Sequence, residues 1–391
     1  MKRYLILAAS VILQMCLGAT YSWSVYVGPL RALTGAGQGA AQIPFSLFYF
    51  VFPVSLLATS GLLPRFGPTV MAVSGALLFG GGWFLAGFGA ASFALTAIGV
   101  GVLGGMGVGL AYVVPITTCM RWFPERRGLV TGVSVVGFGG GAALISHTAV
   151  WLMTRHHLSP FEVFRMLGVI FVVVAGLAGL AMRNPSGGAG GRADTVPSFP
   201  LLRDPAFRLL YGAMFAGLSA GFLVNANLKQ LSHVGTESGA AAVSAFALAN
   251  ALGRIVWGLV FDRIRPAPAA ALNLAAQAVV LLTASRVLAA PHGLIVLASA
   301  AGFNYGGVLV VYAAGTAHVW GLARVASVYG KVFSANIPAA FMPILAGLYF
   351  DRTGSFTLPL AAVGVLLLAA AIWMVCRRGL LAPRPQPETR W

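Results

Sequence analysis

Long apolar runs alternate with short polar breaks along the whole chain. Twelve runs stand out, at about positions 4–27, 41–63, 69–91, 93–118, 128–153, 163–182, 207–230, 239–261, 267–285, 293–317, 325–350 and 357–376. About 20 apolar residues suffice for a helix to cross a bilayer core. In lipid every backbone polar group must be paired inside the protein, which leaves helices and closed barrels. Barrel strands alternate apolar and polar residues with period two, and these runs do not. The pattern predicts an all-α membrane protein with twelve transmembrane helices. The opening MKRYLILAASVILQMCLGAT is shaped like a signal peptide. Eleven further spans and the missing cleavage pattern favour a retained first helix.

One break is long. The stretch RNPSGGAGGRADTVPSFPLLRDP, Arg183 to Pro205, is rich in Gly, Pro and Ser, as a flexible linker should be. It divides the chain into a six-helix N-terminal half (1–182), a linker (183–205), a six-helix C-terminal half (206–378) and a tail (379–391). Landmarks recur between the halves. GLLPRFG begins at Gly61 and GLVFDRI at Gly258; Trp122 and Gly132 bracket one loop, and Trp320 and Gly330 another. Offsets of 197 and 198 residues indicate a parallel internal duplication. Transporters with this symmetry bind substrate near the bilayer midplane, between two rocking halves.

Charge refines the topology. Only 8% of residues are charged and 59% are hydrophobic, against about 25% charged in a soluble domain. The net charge of +17 first suggests nucleic acid, but its distribution excludes that reading. With the N-terminus in the cytoplasm, 17 Lys and Arg fall on the cytoplasmic side and 6 on the other; Arg254 and Lys331, inside spans, complete the 25. This is the positive-inside rule, and it predicts cytoplasmic termini, linker and tail in a bacterial inner membrane, beside anionic lipid. Cys16, Cys119 and Cys376 form no metal spacing and no disulfide framework.

Arg254 stands in the eighth span. A charge at the bilayer centre costs about 2.5 kcal/mol or more, and arginine does not escape by losing its proton. One reading is snorkelling toward the cytoplasmic edge, about 12 Å along the helix. The other is that Arg254 faces a water-filled cavity and binds an anion, since a guanidinium matches a carboxylate with two parallel hydrogen bonds. Asn250, four residues earlier, shares its helical face. Tyr21, Tyr112, Asn304 and Tyr305 lie deep in other spans, where a hydroxyl or amide can bond an anion and a tyrosine ring can pack on its apolar part; helix packing is the alternative for each.

Two further segments carry a resemblance. GATYSWSVYVGPL and GVGLAYVVPITTCMRWFPERRGLVTGVSVVGFGGGAAL, with the loop copies GLLPRFGP and GLVFDRIRP, resemble the major facilitator superfamily, and within it the oxalate:formate antiporter branch related to the monocarboxylate transporters. The first loop copy departs from the pattern, with Pro64 where Asp is usual. The resemblance implies a major facilitator fold and puts the key span-8 arginine at Arg254. It gives gating roles to Arg65, Arg126, Asp262 and Arg263. Many monocarboxylate transporters have Asp where this chain has Asn250. The oxalate transporter's second cation, in span 11, matches Asn336 and not Lys331, which lies near the cytoplasmic end of its span. One fixed cation fits a single carboxylate better than a small dicarboxylate.

The expected function is therefore secondary active transport of small monocarboxylates of the lactate, pyruvate or formate type, with Arg254, Asn250, Tyr112, Tyr305, Asn336 and Tyr21 binding substrate. Proton coupling and anion exchange both stay open. An oxalate/formate-type dicarboxylate antiporter and a facilitator-fold exporter of another solute are the alternatives. A cation exporter is disfavoured because all eight carboxylates lie in loops, tails or span ends. An enzyme is disfavoured because no nucleophile elbow, metal cluster or paired carboxylates occur within the spans. GFGGGA, Gly137 to Ala142, satisfies a dinucleotide-binding pattern but lacks the strand that pattern requires. No cofactor is expected, a monomer suffices, and His147 reads as a hydrogen-bonded packing residue.

Overall fold

A computed structural model describes residues 2–123, 127–185, 201–231 and 236–383. Among these are eleven helices long and apolar enough to cross a membrane, and a twelfth, shorter one. We number them α1 (Lys2–Ser22), α2 (Gln38–Thr59), α3 (Gly61–Ala86), α4 (Phe93–Trp122), α5 (Val136–Arg155), α6 (Pro160–Leu180), α7 (Pro205–Asn227), α8 (Gly239–Arg263), α9 (Pro266–Leu282), α10 (Gly293–Trp320), α11 (Val328–Thr353) and α12 (Thr357–Cys376). They coincide with the twelve apolar runs to within about five residues, except that α3 begins well before its run; the helix that contains α5 starts at Arg127, as its run does. Polar residues of GLLPRFG stay helical, and the path between α2 and α3 breaks only at Gly67 (φ 78, ψ 168). That conformation suits glycine alone, and Pro68 biases the residue before it away from helix.

Glycine seams repeat between the halves. On α4, a side chain at Gly105 would begin 2.9 Å from the Phe48 carbonyl oxygen, and one at Gly109 3.0 Å from that of Phe52. On α10, Gly302 and Gly306 meet the carbonyls of Phe246 and Asn250 in the same way, each 197 or 198 positions later. Small residues let helix backbones approach this closely. The duplication thus places Asn250 and Arg254 where the first half has Phe52 and Leu56.

Away from this seam, Trp23, Tyr26, Trp83, Phe164 and Phe171 form a buried aromatic cluster within the first half. The halves meet where α5 packs on α8, and α2 on α11.

Candidate substrate site

Three segments that face the middle of the molecule depart from regular α-helix. Around Tyr21, α1 tightens into a 3₁₀ stretch, Gly18–Ser22, where Ser22 Oγ donates to the Ala19 carbonyl at 2.6 Å. Gly18 permits this by lying against the Phe138 backbone. In α4 the helical path continues through Tyr112 (φ −56, ψ −45) with one hydrogen bond missing. Pro115 has no N–H to offer the Ala111 carbonyl, and Gln14 of α1 donates to the Tyr112 carbonyl at 3.1 Å. In α11 the helix stops at Phe333 and resumes in the short turn Asn336–Ala339, which contains Pro338. Each irregularity turns an aromatic side chain inward.

Arg254 lies half-buried at the centre of these segments. Its Nε donates to Asn250 Oδ1 at 3.1 Å, one helical turn away. That bond engages Nε and not the two terminal nitrogens of the guanidinium. Asn250 Nδ2 is buried with no hydrogen-bond partner among the described residues. A cavity of about 70 Å³ opens here, with apolar walls except at Tyr21, Asn250 and Arg254. Tyr112 stands beside the guanidinium without lining that cavity, and Tyr21 and Tyr305 lie near its charge.

The aromatic surround comes from both halves. Tyr21 contacts Phe138 (centroids 5.2 Å), Tyr305 (6.4 Å), Tyr49 (6.4 Å) and Phe246 (6.5 Å). Tyr112 contacts Phe138 at 5.7 Å and Phe52 at 5.5 Å, and Phe52 meets Phe333 at 5.9 Å. The site is thus one cation and one amide on α8 inside a mainly aromatic shell. The rings lower the local dielectric beside the cation, which strengthens its pull on an anion.

The structure brings together five of the six expected binding residues: Arg254, Asn250, Tyr21, Tyr112 and Tyr305. Asn336 is buried, and its amide donates to the Phe333 carbonyl at 2.7 Å, serving the turn that carries Phe333. Asn304, the other polar candidate in α10, turns its amide back onto its own helix, donating to the Ala300 carbonyl at 2.9 Å, while its backbone carbonyl accepts from Asn273 of α9 at 3.0 Å. Lys331 is exposed and does not line the cavity. Arg65, Asp262 and Arg263 are exposed at helix ends, and Arg126 lies outside the described residues. His147 is exposed rather than packed away, with Nδ1 3.0 Å from the Ala143 carbonyl and 3.2 Å from Ser244 Oγ of α8. Sequence reasoning missed Tyr49, Phe52, Phe138, Phe246 and Phe333. The one available signal was that Phe138 sits inside the GFGGGA segment, flanked by the glycines that press α5 onto α1.

The family model of the Major Facilitator Superfamily matches residues 7–336. The chain is 28% identical over 349 residues to the oxalate:formate antiporter of Oxalobacter formigenes, covering 86% of this chain and 82% of that one. It is 26% identical over 343 residues to monocarboxylate transporter 13 of Bos taurus, covering 85% and 78%. In fold it resembles the crystal structure of a D-xylose-proton symporter, with a TM-score of 0.70 at 14% identity over 95% of this chain and 97% of that one.

Proposed function

This chain belongs to the Major Facilitator Superfamily, and from that premise we propose that it carries small monocarboxylates of the lactate, pyruvate or formate type across the membrane by alternating access. It is a multi-pass membrane transporter and not an enzyme. The observation that carries the substrate reading is the single guanidinium: Arg254 is held through Nε by Asn250, that bond does not engage its terminal nitrogens, and no Asp, Glu or second cation among the described residues lines the cavity. A carboxylate accepts two parallel hydrogen bonds from that end of the guanidinium, and its short apolar part packs against Tyr21 and Phe138. The names of the two relatives, an oxalate:formate antiporter and a monocarboxylate transporter, both point to small carboxylates, the first including a dicarboxylate. A dicarboxylate would leave one charge facing aromatic rings, at a cost that an unpaired buried anion does not recover.

The positive-inside count supports cytoplasmic termini. With no titratable carboxylate among the described residues that line the cavity, a driving proton enters with the substrate or with water, and exchange of one anion for another needs none. The test is counterflow of labelled lactate into proteoliposomes, with unlabelled lactate, pyruvate, formate and oxalate as competitors. The monocarboxylates should compete at lower concentration than oxalate. Oxalate winning at neutral pH would move the assignment to a dicarboxylate carrier with a second cation.

A further inference from the structure

The ends of α1, α7 and α11 that lie far from the N-terminus and the linker meet in a polar contact between the halves. At its centre is Asp351 of α11. One carboxylate oxygen accepts the Gln38 backbone N–H at 2.6 Å and the other the Gly39 N–H at 2.9 Å. Arg31, on the chain between α1 and α2, stands 3.9 Å from the same carboxylate and donates to Gln38 Oε1 at 3.2 Å. Gln38 Nε2 donates in turn to Asn227 Oδ1 of α7 at 2.8 Å. Gln42 Nε2 shares that oxygen at 3.0 Å and also reaches the Ala226 carbonyl at 3.0 Å. Gln230 closes the ring by donating to the Ser24 carbonyl at 3.2 Å. Apart from the Arg31–Gln38 bond, each of these links joins one half to the other.

The chemistry suits a contact that is made and broken. The first N–H groups of a helix have no partner within it, and a carboxylate is their strongest acceptor, helped by the helix dipole. The neighbouring surfaces are flat. Gly347 lies with the Gly39 Cα 2.7 Å from where its side chain would begin, and a side chain on Gly37 would begin 2.6 Å from Asp351 Oδ2. One side chain interlocks here, Leu348, which packs over Gly39 with its Cγ 2.8 Å from where a side chain would begin, so parting the helices breaks the polar links and this one apolar contact. The contact also lies about two to three turns along α2 from Tyr49, whose ring packs at a tilt on Phe222 of α7 at 4.3 Å beside the substrate site.

We infer that Asp351 is the closing residue of this end of the transport path: it holds the start of α2 to α11 in the state seen here and releases it when the site opens to that face. This assignment needs the transporter fold but not the monocarboxylate reading.

The test follows access to Ser46, which is 3% exposed on α2, on the same helical face as Gln42 and one turn deeper. With Cys16, Cys119 and Cys376 each replaced by Ala, Ser46→Cys is labelled with a membrane-impermeant maleimide added from the face bearing Asp351. Asp351→Ala should raise the labelling rate at least about tenfold, the effect of losing one charge-assisted hydrogen bond. Asp351→Asn keeps the shape, removes the charge, and should give an intermediate rise. If the alanine variant does not run as a single species on gel filtration, the asparagine variant decides alone. Unchanged labelling in a well-folded variant overturns the inference.

Discussion

Replacing Asn250 by aspartate should convert the site from pH-insensitive to pH-sensitive binding. The substitution keeps the shape and puts a charge where Oδ1 now accepts from Arg254 Nε at 3.1 Å. Two unit charges about 4 Å apart interact by about 4 kcal/mol at an effective dielectric near 20. Water in the cavity and the cost of desolvating the pair reduce the net effect to roughly half of that. The introduced carboxylate therefore competes with the substrate's for one guanidinium. A loss of about 2 kcal/mol is close to a 30-fold weaker Kd. The sign follows from linkage: protonating the introduced group removes the competitor, so binding of the anion takes up a proton and affinity rises as pH falls. Calorimetric titration of lactate into purified protein from pH 8 down to pH 4, close to the ordinary aspartate value of about 3.9, reads this directly. Wild type should hold nearly constant affinity, whereas Asn250→Asp should bind about 30-fold more weakly at pH 8 and recover toward wild type in acid. Equal affinities at pH 8, with no slope in the variant, would show that the anion does not bind at the Asn250 side of Arg254.

Gly306→Ala should weaken lactate binding about tenfold, because a β-carbon there strikes the Asn250 carbonyl and lies 3.0 Å from the Arg254 nitrogen, and overpacking of this kind costs about 1–3 kcal/mol. Gly109→Ala, on the matching seam of the first half, should cost similar thermal stability with a smaller loss of affinity; equal affinity losses would make the seam a general packing feature. His147→Gln should keep most of the pH dependence of uptake, since His147 contacts Ser244 at the surface and not the cavity. Proton-driven uptake that vanishes in that variant while counterflow survives would make His147 the proton carrier.

Spans and the cation were legible in the sequence because each rests on a strong local signal. Twenty apolar residues announce a helix, and an arginine among them stands out. Asn250 followed from the helical period alone. The aromatic shell was not legible: Phe138, Phe246 and Phe333 are ordinary residues in apolar spans, and only tertiary packing selects them from the other phenylalanines. Tyr21 and Tyr112 were found through their motif and depth, but the 3₁₀ turn at the one and the hydrogen bond missing before Pro115 at the other came from the structure. Asn336 was chosen by alignment with a cation; its amide bonds back to its own turn, which is a local effect that matching positions does not reveal. The Asp351 contact joins residues 313 positions apart and left no periodic trace. Gly67 was readable in principle, as a glycine before a proline.

The most direct test of the account is lactate counterflow by Arg254→Lys at matched protein content in proteoliposomes. Lysine keeps the charge but loses the planar two-pronged donor and the Nε bond to Asn250. The account predicts a folded, correctly inserted protein whose counterflow falls at least about tenfold, since a charge-assisted hydrogen bond is worth about 1.5–3 kcal/mol. Near-normal counterflow by the lysine variant would contradict it, and would mean that Arg254 merely extends toward the membrane edge.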